Sequence, residues 1–132
     1  MVSLEDVRRI AMSLPGSEER VSRERLQWRV GGKLFVWERP LRPKEVAELG
    51  DAAPGGAILG ARVEHLVAKE AMLADEPEVF FTTSHFEGHP SVLVRLETIA
   101  LPELEEVVTE AWFARAPAKL AAEAEAEARG GR

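Results

Sequence analysis

The apolar positions at the start of the chain recur at helical spacing. Successive members are three or four residues apart, which predicts an amphipathic helix. They are Leu4, Val7, Ile10, Ala11 and Leu14. Ser3 precedes the run as an N-cap, and Pro15-Gly16 follows it as a helix stop. The sequence therefore predicts one helix over residues 3–14.

From about residue 18 the apolar spacing changes from helical to alternating. In the run RERLQWRV one side of the predicted strand is apolar and the other is polar. The apolar set is Leu26, Trp28 and Val30, and the polar set is Arg25, Gln27 and Arg29. Gly31-Gly32 then forms a tight turn into KLFVWER. The pattern predicts a hairpin with one buried and one hydrated face.

Shorter segments follow, separated by proline, glycine and acidic residues. The sequence predicts a short helix over 44–49, a strand at AILGARV, a helix over 64–74, and two strands, VFFTTS and SVLVRLE, joined by HFEGHP. A helix that starts at proline comes next, and its apolar stripe is Leu104, Val107, Val108, Ala111 and Trp112. Pro117 interrupts this helix. The remaining segment, AKLAAEAEAEARGGR, predicts a solvated helix that frays at residues 129–132.

This order of elements favours an α+β fold, a two-layer sandwich with helices packed on one face of an antiparallel sheet. The other face would stay partly open to solvent. The sequence shows no repeat and no linker, so we expect one domain over residues 1–118 and a helical extension over 119–132.

Composition is that of a folded globular protein, with 45% hydrophobic and 30% charged residues among 132. The absence of cysteine excludes disulfides, thiolate metal sites and cysteine nucleophiles. No segment approaches the ~20 apolar residues that a membrane span needs. We therefore expect a cytoplasmic protein, more readily a monomer than an obligate oligomer, with no membrane partner.

Charge is distributed unevenly along the chain. The net charge is −6, but residues 20–44 hold eight basic and two acidic side chains, a local charge of +6. A basic segment on an acidic body leaves one surface for a polyanion. The candidate nucleic-acid contacts in this segment are Arg23, Arg25, Arg29, Lys33 and Arg39.

Two faces carry these candidates. Arg23, Arg25, Gln27 and Arg29 are expected on one face of the first strand, and Lys33, Phe35, Trp37 and Arg39 on one face of the next. Arginines on a β-ribbon contact phosphates or base edges. The alternative is that outward strand positions are charged only for solubility and edge protection.

Four blocks of the sequence resemble the MmcQ/YjbR family, of an actinobacterial type. They are SLEDVRRIAMSLPG, GGKLFVWERPL, AKEAMLADEPEVFFTTSHFEGHPSVLVRL and EAWFARAPAKLA. The resemblance implies a CyaY-like two-layer sandwich and a DNA-binding protein with a double-wing arrangement of strands and loops. It also makes Arg115 and Lys119 candidates for an anion-binding patch with His85. The alternative for Arg115 is a cation that stabilises the C-terminus of its helix.

The sequence offers only weak candidates for metal binding. His85 and His89 flank Glu87 in a turn, with His65 as a third histidine elsewhere, but we predict no metal site and no cofactor. The acidic side chains of the late helix, Glu103, Glu105, Glu106 and Glu110, suit a solvated face, although frataxin-like folds hold iron on such a helix.

No motif of a known catalytic site is present, so we predict a non-enzymatic binding module. Weak, salt-dependent DNA binding through the basic hairpin is the leading hypothesis. A protein-interaction or small-anion-binding domain is the alternative, and metal handling is a distant third.

Overall fold

The computed structural model describes residues 1–130. Six strands form one antiparallel sheet: β1 (Ser17–Ser22), β2 (Arg25–Val30), β3 (Lys33–Glu38), β4 (Ile58–Arg62), β5 (Phe80–Phe81) and β6 (Ser91–Arg95). Their spatial order is β1-β2-β3-β4-β6-β5. The five α-helices in this range are α1 (Leu4–Met12), α2 (Pro43–Leu49), α3 (Leu66–Asp75), α4 (Leu101–Arg115) and α5 (Ala118–Gly130). The predicted α+β class is confirmed.

The predicted helices form where the periodicity placed them. Ser3 caps α1 by accepting a hydrogen bond from the backbone N–H of Asp6, and the Asp6 carboxylate accepts the N–H of Ser3 in return. The apolar stripe of α4 is buried throughout its length. Trp112 is fully buried, and its indole N–H donates to the carbonyl of Pro15 at 3.0 Å. Helix α5 follows Pro117 as predicted. Fraying was expected over residues 129–132, but Arg129 and Gly130 are helical, and Gly131 and Arg132 lie outside the described residues.

One face of the sheet carries the main core. Side chains from α1 and α4 pack on Trp28, Val30, Leu59 and Val94, with Met72 of α3 and Leu120 of α5 at the margin. Trp28 is fully buried, and its indole N–H donates to Glu19 at 3.0 Å. Each fully buried side chain of this size contributes roughly 1.5–3 kcal/mol to folding.

The second face of the sheet is covered over only part of its width. Ile58, Phe81 and Leu93 alternate onto this face and are buried beneath Phe86, Leu41 and Leu49. Short helix α2 and the turn at Ser84–Phe86 therefore lie on the face of the sheet opposite the other helices. The sheet is thus covered on one face, as expected, and also on part of the second face. Gly60 has no Cβ, and a Cβ there would lie 2.3 Å from the indole of Trp37. The Trp37 ring therefore lies directly over β4.

Strand β1 was not predicted as a separate element. It pairs along its whole length with β2, through a turn at Arg23-Glu24 in which both residues have positive φ (52° and 66°). Arg and Glu are not among the residues that usually signal such a turn, so no local pattern predicts it. The predicted turn at Gly31-Gly32 is confirmed, with φ of 58° and 79°.

The expectation that Lys33, Phe35, Trp37 and Arg39 share a face is wrong. The register between β2 and β3 shifts between Trp28 and Arg29, which is a β-bulge. One extra residue on β3 interrupts the alternation, so Phe35 and Val36 are both fully buried in the main core. Trp37 packs with the second cluster.

A buried ion pair joins the end of β3 to α2. Arg39 donates to both carboxylate oxygens of Glu45 at 2.9 and 2.8 Å, and Thr83 donates a third hydrogen bond to the same carboxylate. Burial raises the pKa of Glu45, but hydrogen bonds from Arg39, the Arg42 backbone and Thr83 outweigh it and lower the pKa to about 2. The pair thus stays ionised throughout the physiological pH range.

The helices enclose an acidic groove of about 770 Å³ between α3, α4 and α5. Its floor is apolar and includes Met72, Phe80 and Phe113. Its rim carries the carboxylates of Glu64, Glu76, Glu103, Glu106, Glu110 and Glu125. A hydrogen bond with Glu76, then burial and the charges of nearby glutamates, raise the pKa of Glu103 to about 7. Like charges held this close favour the protonated form.

Glu45→Gln should destabilise the protein by about 3 kcal/mol at pH 7, because it leaves the Arg39 guanidinium buried without a carboxylate. The pKa of Glu45 in the folded protein is depressed from the usual glutamate value of 4.5, so this stability is present above pH 4.5 and is lost as pH falls towards about 2. Urea unfolding at pH 7 and pH 3 measures the difference. The control Glu18→Gln removes only an exposed ion pair with Arg20 and should change stability little. A wild type–variant difference that does not shrink at pH 3 would contradict this account.

Glu103→Gln should stabilise the protein at high pH, in contrast to the destabilisation expected for Glu45→Gln. Because the folded state holds the proton of Glu103 more tightly than the unfolded chain, stability is lost as pH rises from 4.5 to about 7. Replacement by the neutral amide should therefore raise the unfolding free energy at pH 8 by about 1 kcal/mol, after allowance for solvent screening, and change it little at pH 4. Thermal unfolding at the two pH values, with exposed Glu105→Gln as control, tests this prediction. Equal effects of the two substitutions at pH 8 would refute it.

Candidate functional site

The cationic side chains of β1 and β2 lie on a part of the sheet that no helix covers, and Arg23 and Lys33 flank them at the two turns. We call Arg20, Arg23, Arg25, Arg29 and Lys33 the basic ribbon. Arg25 and Arg29 of β2 lie opposite Ser22 and Glu18 of β1, and Arg20 lies opposite Gln27, so these residues share the face away from the main core. Arg20, Arg23, Arg25 and Lys33 are exposed, and Arg29 is partly exposed.

The predicted ribbon face needs one correction. Arg23 does not lie on the strand face with Arg25 and Arg29, because it occupies the turn between β1 and β2 with a positive φ. It therefore lies at one end of the ribbon. Lys33, which follows the Gly31-Gly32 turn, lies at the other end. It pairs with Val30 of the main core, so its exposed side chain leaves the sheet on the opposite face from Arg29.

Carboxylates neutralise two of the ribbon cations. Arg20 pairs with Glu18 at 3.1 Å, and Arg25 pairs with Glu38 at 3.4 Å. Arg29 instead donates to the side-chain oxygen of Gln27 and the carbonyl of Gly32, both at 3.1 Å. These acceptors are uncharged, so Arg29 keeps its full positive charge at the surface.

Arg39 does not belong to this surface. It is only 8% exposed, and its guanidinium is held by Glu45 and by the carbonyl of Pro40. It also lies over the Phe86 ring, 5.1 Å from the ring centre. The prediction that Arg39 contacts nucleic acid is wrong, because its charge stabilises the junction between β3 and α2.

The histidine and arginine candidates lie at the end of the sheet nearest the Gly31-Gly32 turn. His85 is exposed in the turn after β5, with its ring edge-on to Phe86. Lys119 is exposed near the start of α5, and Arg115 is partly buried at the end of α4. Among residues 1–130 no hydrogen bond joins these three side chains, and their common anion patch stays a prediction.

Arg62, which the sequence did not single out, lies at the same end of the sheet as Arg115. Burial, followed by the positive charge of Arg115, lowers the pKa of Arg62. Arg62 is the last residue of β4 and lies directly opposite Ser91 of β6, whose hydroxyl is 2.9 Å from Nδ1 of His89. The one sequence signal for Arg62 was its polar side chain at the end of the otherwise apolar strand AILGAR.

Within the described part of the chain, no three His, Asp or Glu side chains are grouped so as to hold a metal ion. His65 caps α3 through its Nδ1, which accepts the N–H of Ala68 at 3.1 Å. Likewise, no helix within residues 1–130 combines the length and apolarity that crossing a membrane requires.

Comparison with known proteins agrees with the fold. Uncharacterized proteins of Mycobacterium tuberculosis and Mycobacterium bovis are each 46% identical over 123 residues, which cover 91% of this chain and 93% of the relative. The crystal structure of a Deinococcus radiodurans protein with a DUF419 domain superposes with a TM-score of 0.62 at 20% identity. That match covers 86% of this chain and 78% of the other. These names assign no activity to the relatives.

The model of the YjbR family matches residues 12–114, a range that runs from the end of α1 to the last turn of α4. It includes every strand of the sheet, the basic ribbon and Arg62. The chain therefore belongs to the YjbR family.

Proposed function

We propose that the protein is a non-catalytic binding module that contacts the phosphate backbone of nucleic acid through its basic ribbon. The observation that carries this proposal is the exposed face of β1 to β3. Arg29 on this face, Arg23 in the turn at one end of it and Lys33 after the turn at the other end form no ion pair with any carboxylate in residues 1–130. The rest of that face lies under the second apolar cluster. An uncovered basic face on an acidic protein suits a polyanion.

The length and spacing of the ribbon suit phosphates. Arg25 and Arg29 are separated by four residues of extended chain, roughly 13 Å at about 3.3 Å per residue, and point to the same side. Guanidinium groups spaced along a strand can each contact a different phosphate. Because such contacts carry no sequence information, we expect binding that is largely independent of nucleotide sequence.

The charge balance indicates that this binding is weak. Arg20 and Arg25 must leave their carboxylate partners to contact a phosphate, and the acidic body repels the rest of the polyanion. Three cations remain for phosphate contact at no such cost. With about −0.9 per contact, log affinity should fall against log salt with a slope near −2.7.

Arg29→Glu/Lys33→Glu should abolish binding to a 20-base-pair duplex at 100 mM salt, because it removes two of the three unpaired cations and adds two carboxylates. Fluorescence anisotropy from 50 to 200 mM salt measures both the affinity and the slope. The control Arg9→Glu/Arg129→Glu makes the same change in net charge on α1 and α5, away from the ribbon, and should lose much less affinity.

Either of two results would contradict the proposal that the basic ribbon is the contact surface for nucleic acid. One is a wild-type affinity that does not change with salt. The other is an equal loss of affinity in the ribbon and control variants, which would indicate that net charge alone governs the interaction.

A further inference from the structure

A second cationic group lies where β4 ends and β6 begins. Arg62 and Ser91 are paired across these strands, and the next backbone N–H, that of Val63, donates to the carbonyl of Pro90 at 2.9 Å. His89 precedes Pro90, and its Nδ1 is 2.9 Å from the Ser91 hydroxyl. This short connection holds the His89 imidazole beside the Arg62 side chain.

Helix α4 brings Arg115 to the same place. Arg115 is the last residue of α4, which packs against β3 and β4. The Gly31-Gly32 turn touches the chain just beyond, because a Cβ on Gly31 would lie 2.8 Å from the Pro117 ring. The positive charges of Arg62 and Arg115 also contribute, after burial, to the lowered pKa of His89. Because β3 starts at this turn and pairs antiparallel with β4, the ends of α4 and β4 lie at the same end of the sheet. Two guanidiniums and an imidazole from three elements therefore lie at that end.

Neither arginine has the partner that a buried guanidinium normally has. The Nε atoms of both Arg62 and Arg115 are buried and have no hydrogen-bond acceptor within residues 1–130. Ion pairs in that range are formed by Arg8, Arg9, Arg20, Arg25, Arg39 and His65, and not by these two. Arg39, by contrast, is fully paired with Glu45. Buried donors are almost always satisfied in folded proteins, so this pair calls for an acceptor from outside the chain.

Lys69 adds a third positive charge and holds the loop that carries His89. It is 4% exposed, and its ammonium donates to the carbonyls of Phe86 and His89 at 2.7 and 2.8 Å. No carboxylate in residues 1–130 is hydrogen-bonded to it. Burial lowers the pKa of Lys69, and the charges of Glu70 and Glu87 oppose this shift only in part. The positive potential at this position is therefore only partly balanced by the protein.

We propose that Arg62, Arg115 and His89 form a binding site for a terminal phosphate group, that is, inorganic phosphate or a phosphate monoester. Planar guanidiniums present paired donors that match the oxygens of phosphate. A terminal phosphate carries about −1.5 to −2 charges at neutral pH, which balances two arginines, whereas a carboxylate or an internal phosphodiester carries only one. The site is distinct from the basic ribbon and does not depend on nucleic-acid binding.

The test is titration of the full chain with inorganic phosphate and with adenosine 5′-monophosphate at constant ionic strength. Amide chemical shifts by NMR should move at Arg62, Ser91 and Arg115, and the melting temperature should rise with ligand. Sodium acetate at the same ionic strength should have no such effect. An acetate response equal to that of phosphate, or no response to either phosphate compound at 10 mM, would overturn the proposal.

Arg62→Gln and Arg115→Gln should each weaken phosphate binding by about tenfold or more, as expected when a hydrogen bond between charged groups is lost. Because each substitution also relieves repulsion between like charges, the melting temperature without ligand should stay equal or rise. Arg23→Gln, an equal charge change in the exposed turn of the ribbon, should leave phosphate binding unchanged. If either site variant unfolds at a lower temperature and still binds phosphate normally, the arginines are structural and the proposal fails.

Competition distinguishes the possible sources of the phosphate. A 5′-phosphorylated oligonucleotide that displaces adenosine monophosphate, where its unphosphorylated counterpart does not, would identify a nucleic-acid end as one ligand. Displacement by neither oligonucleotide would restrict the site to small phosphate compounds, and both results support a terminal-phosphate site. Equal displacement by both would show that internal phosphodiesters suffice, which contradicts the proposed ligand class.

Discussion

The arrangement of the molecule depends on which strands are apolar on both faces. Strands β4, β5 and β6 carry large apolar side chains on alternating sides, with Leu59 and Val94 on one face and Ile58, Phe81 and Leu93 on the other. Such strands have to be covered twice. Strands β1 and β2 carry apolar side chains on one face only, so α1 and α4 suffice for them. The exposed basic ribbon is a direct result of this difference.

Covering the second face requires polar groups to be buried along with the apolar ones. Helix α2 is short. The Arg39–Glu45 ion pair joins it to the end of β3, and the hydrogen bond from Thr83 to Glu45 joins it to the loop after β5. Lys69 stabilises the next turn of that loop by donating hydrogen bonds to two backbone carbonyls. In the first case a buried cation is matched by a carboxylate, and in the second it is matched only by carbonyl dipoles. The excess positive charge therefore collects around the loop that carries His89, which Lys69 contacts and which leads into Ser91, opposite Arg62.

The two candidate surfaces differ in how exposed their cations are and in whether carboxylates pair with them. Along the basic ribbon the side chains are exposed, and two of the five are already paired with carboxylates. Water screens such charges, so the ribbon suits weak and salt-sensitive contacts. At the end of β4 the cations are partly buried and unpaired, which strengthens any interaction with an anion. A small ligand with a concentrated charge suits that position better than a flexible polymer.

The sequence by itself determined the elements that depend on local periodicity and on residues with special backbone preferences. The capped helix α1, the Gly31-Gly32 turn, the buried stripe of α4 and the one-sided apolar pattern of β2 were all predicted from spacing alone. Their outcome is decided by neighbours three, four or two residues away. The α+β class follows from the order of these elements.

Only the tertiary structure decided which charged groups meet. Arg39 looked like a member of the basic face, but a bulge in β3 and a carboxylate from α2 placed it in the interior. The turn at Arg23-Glu24 is held by the pairing of β1 with β2, and its own residues give no local signal. Arg62 and Arg115 are more than fifty positions apart and lie at the same end of the sheet only because α4 packs across β3 and β4. Electrostatic contacts of this kind depend on distances through space, and sequence spacing does not contain that information.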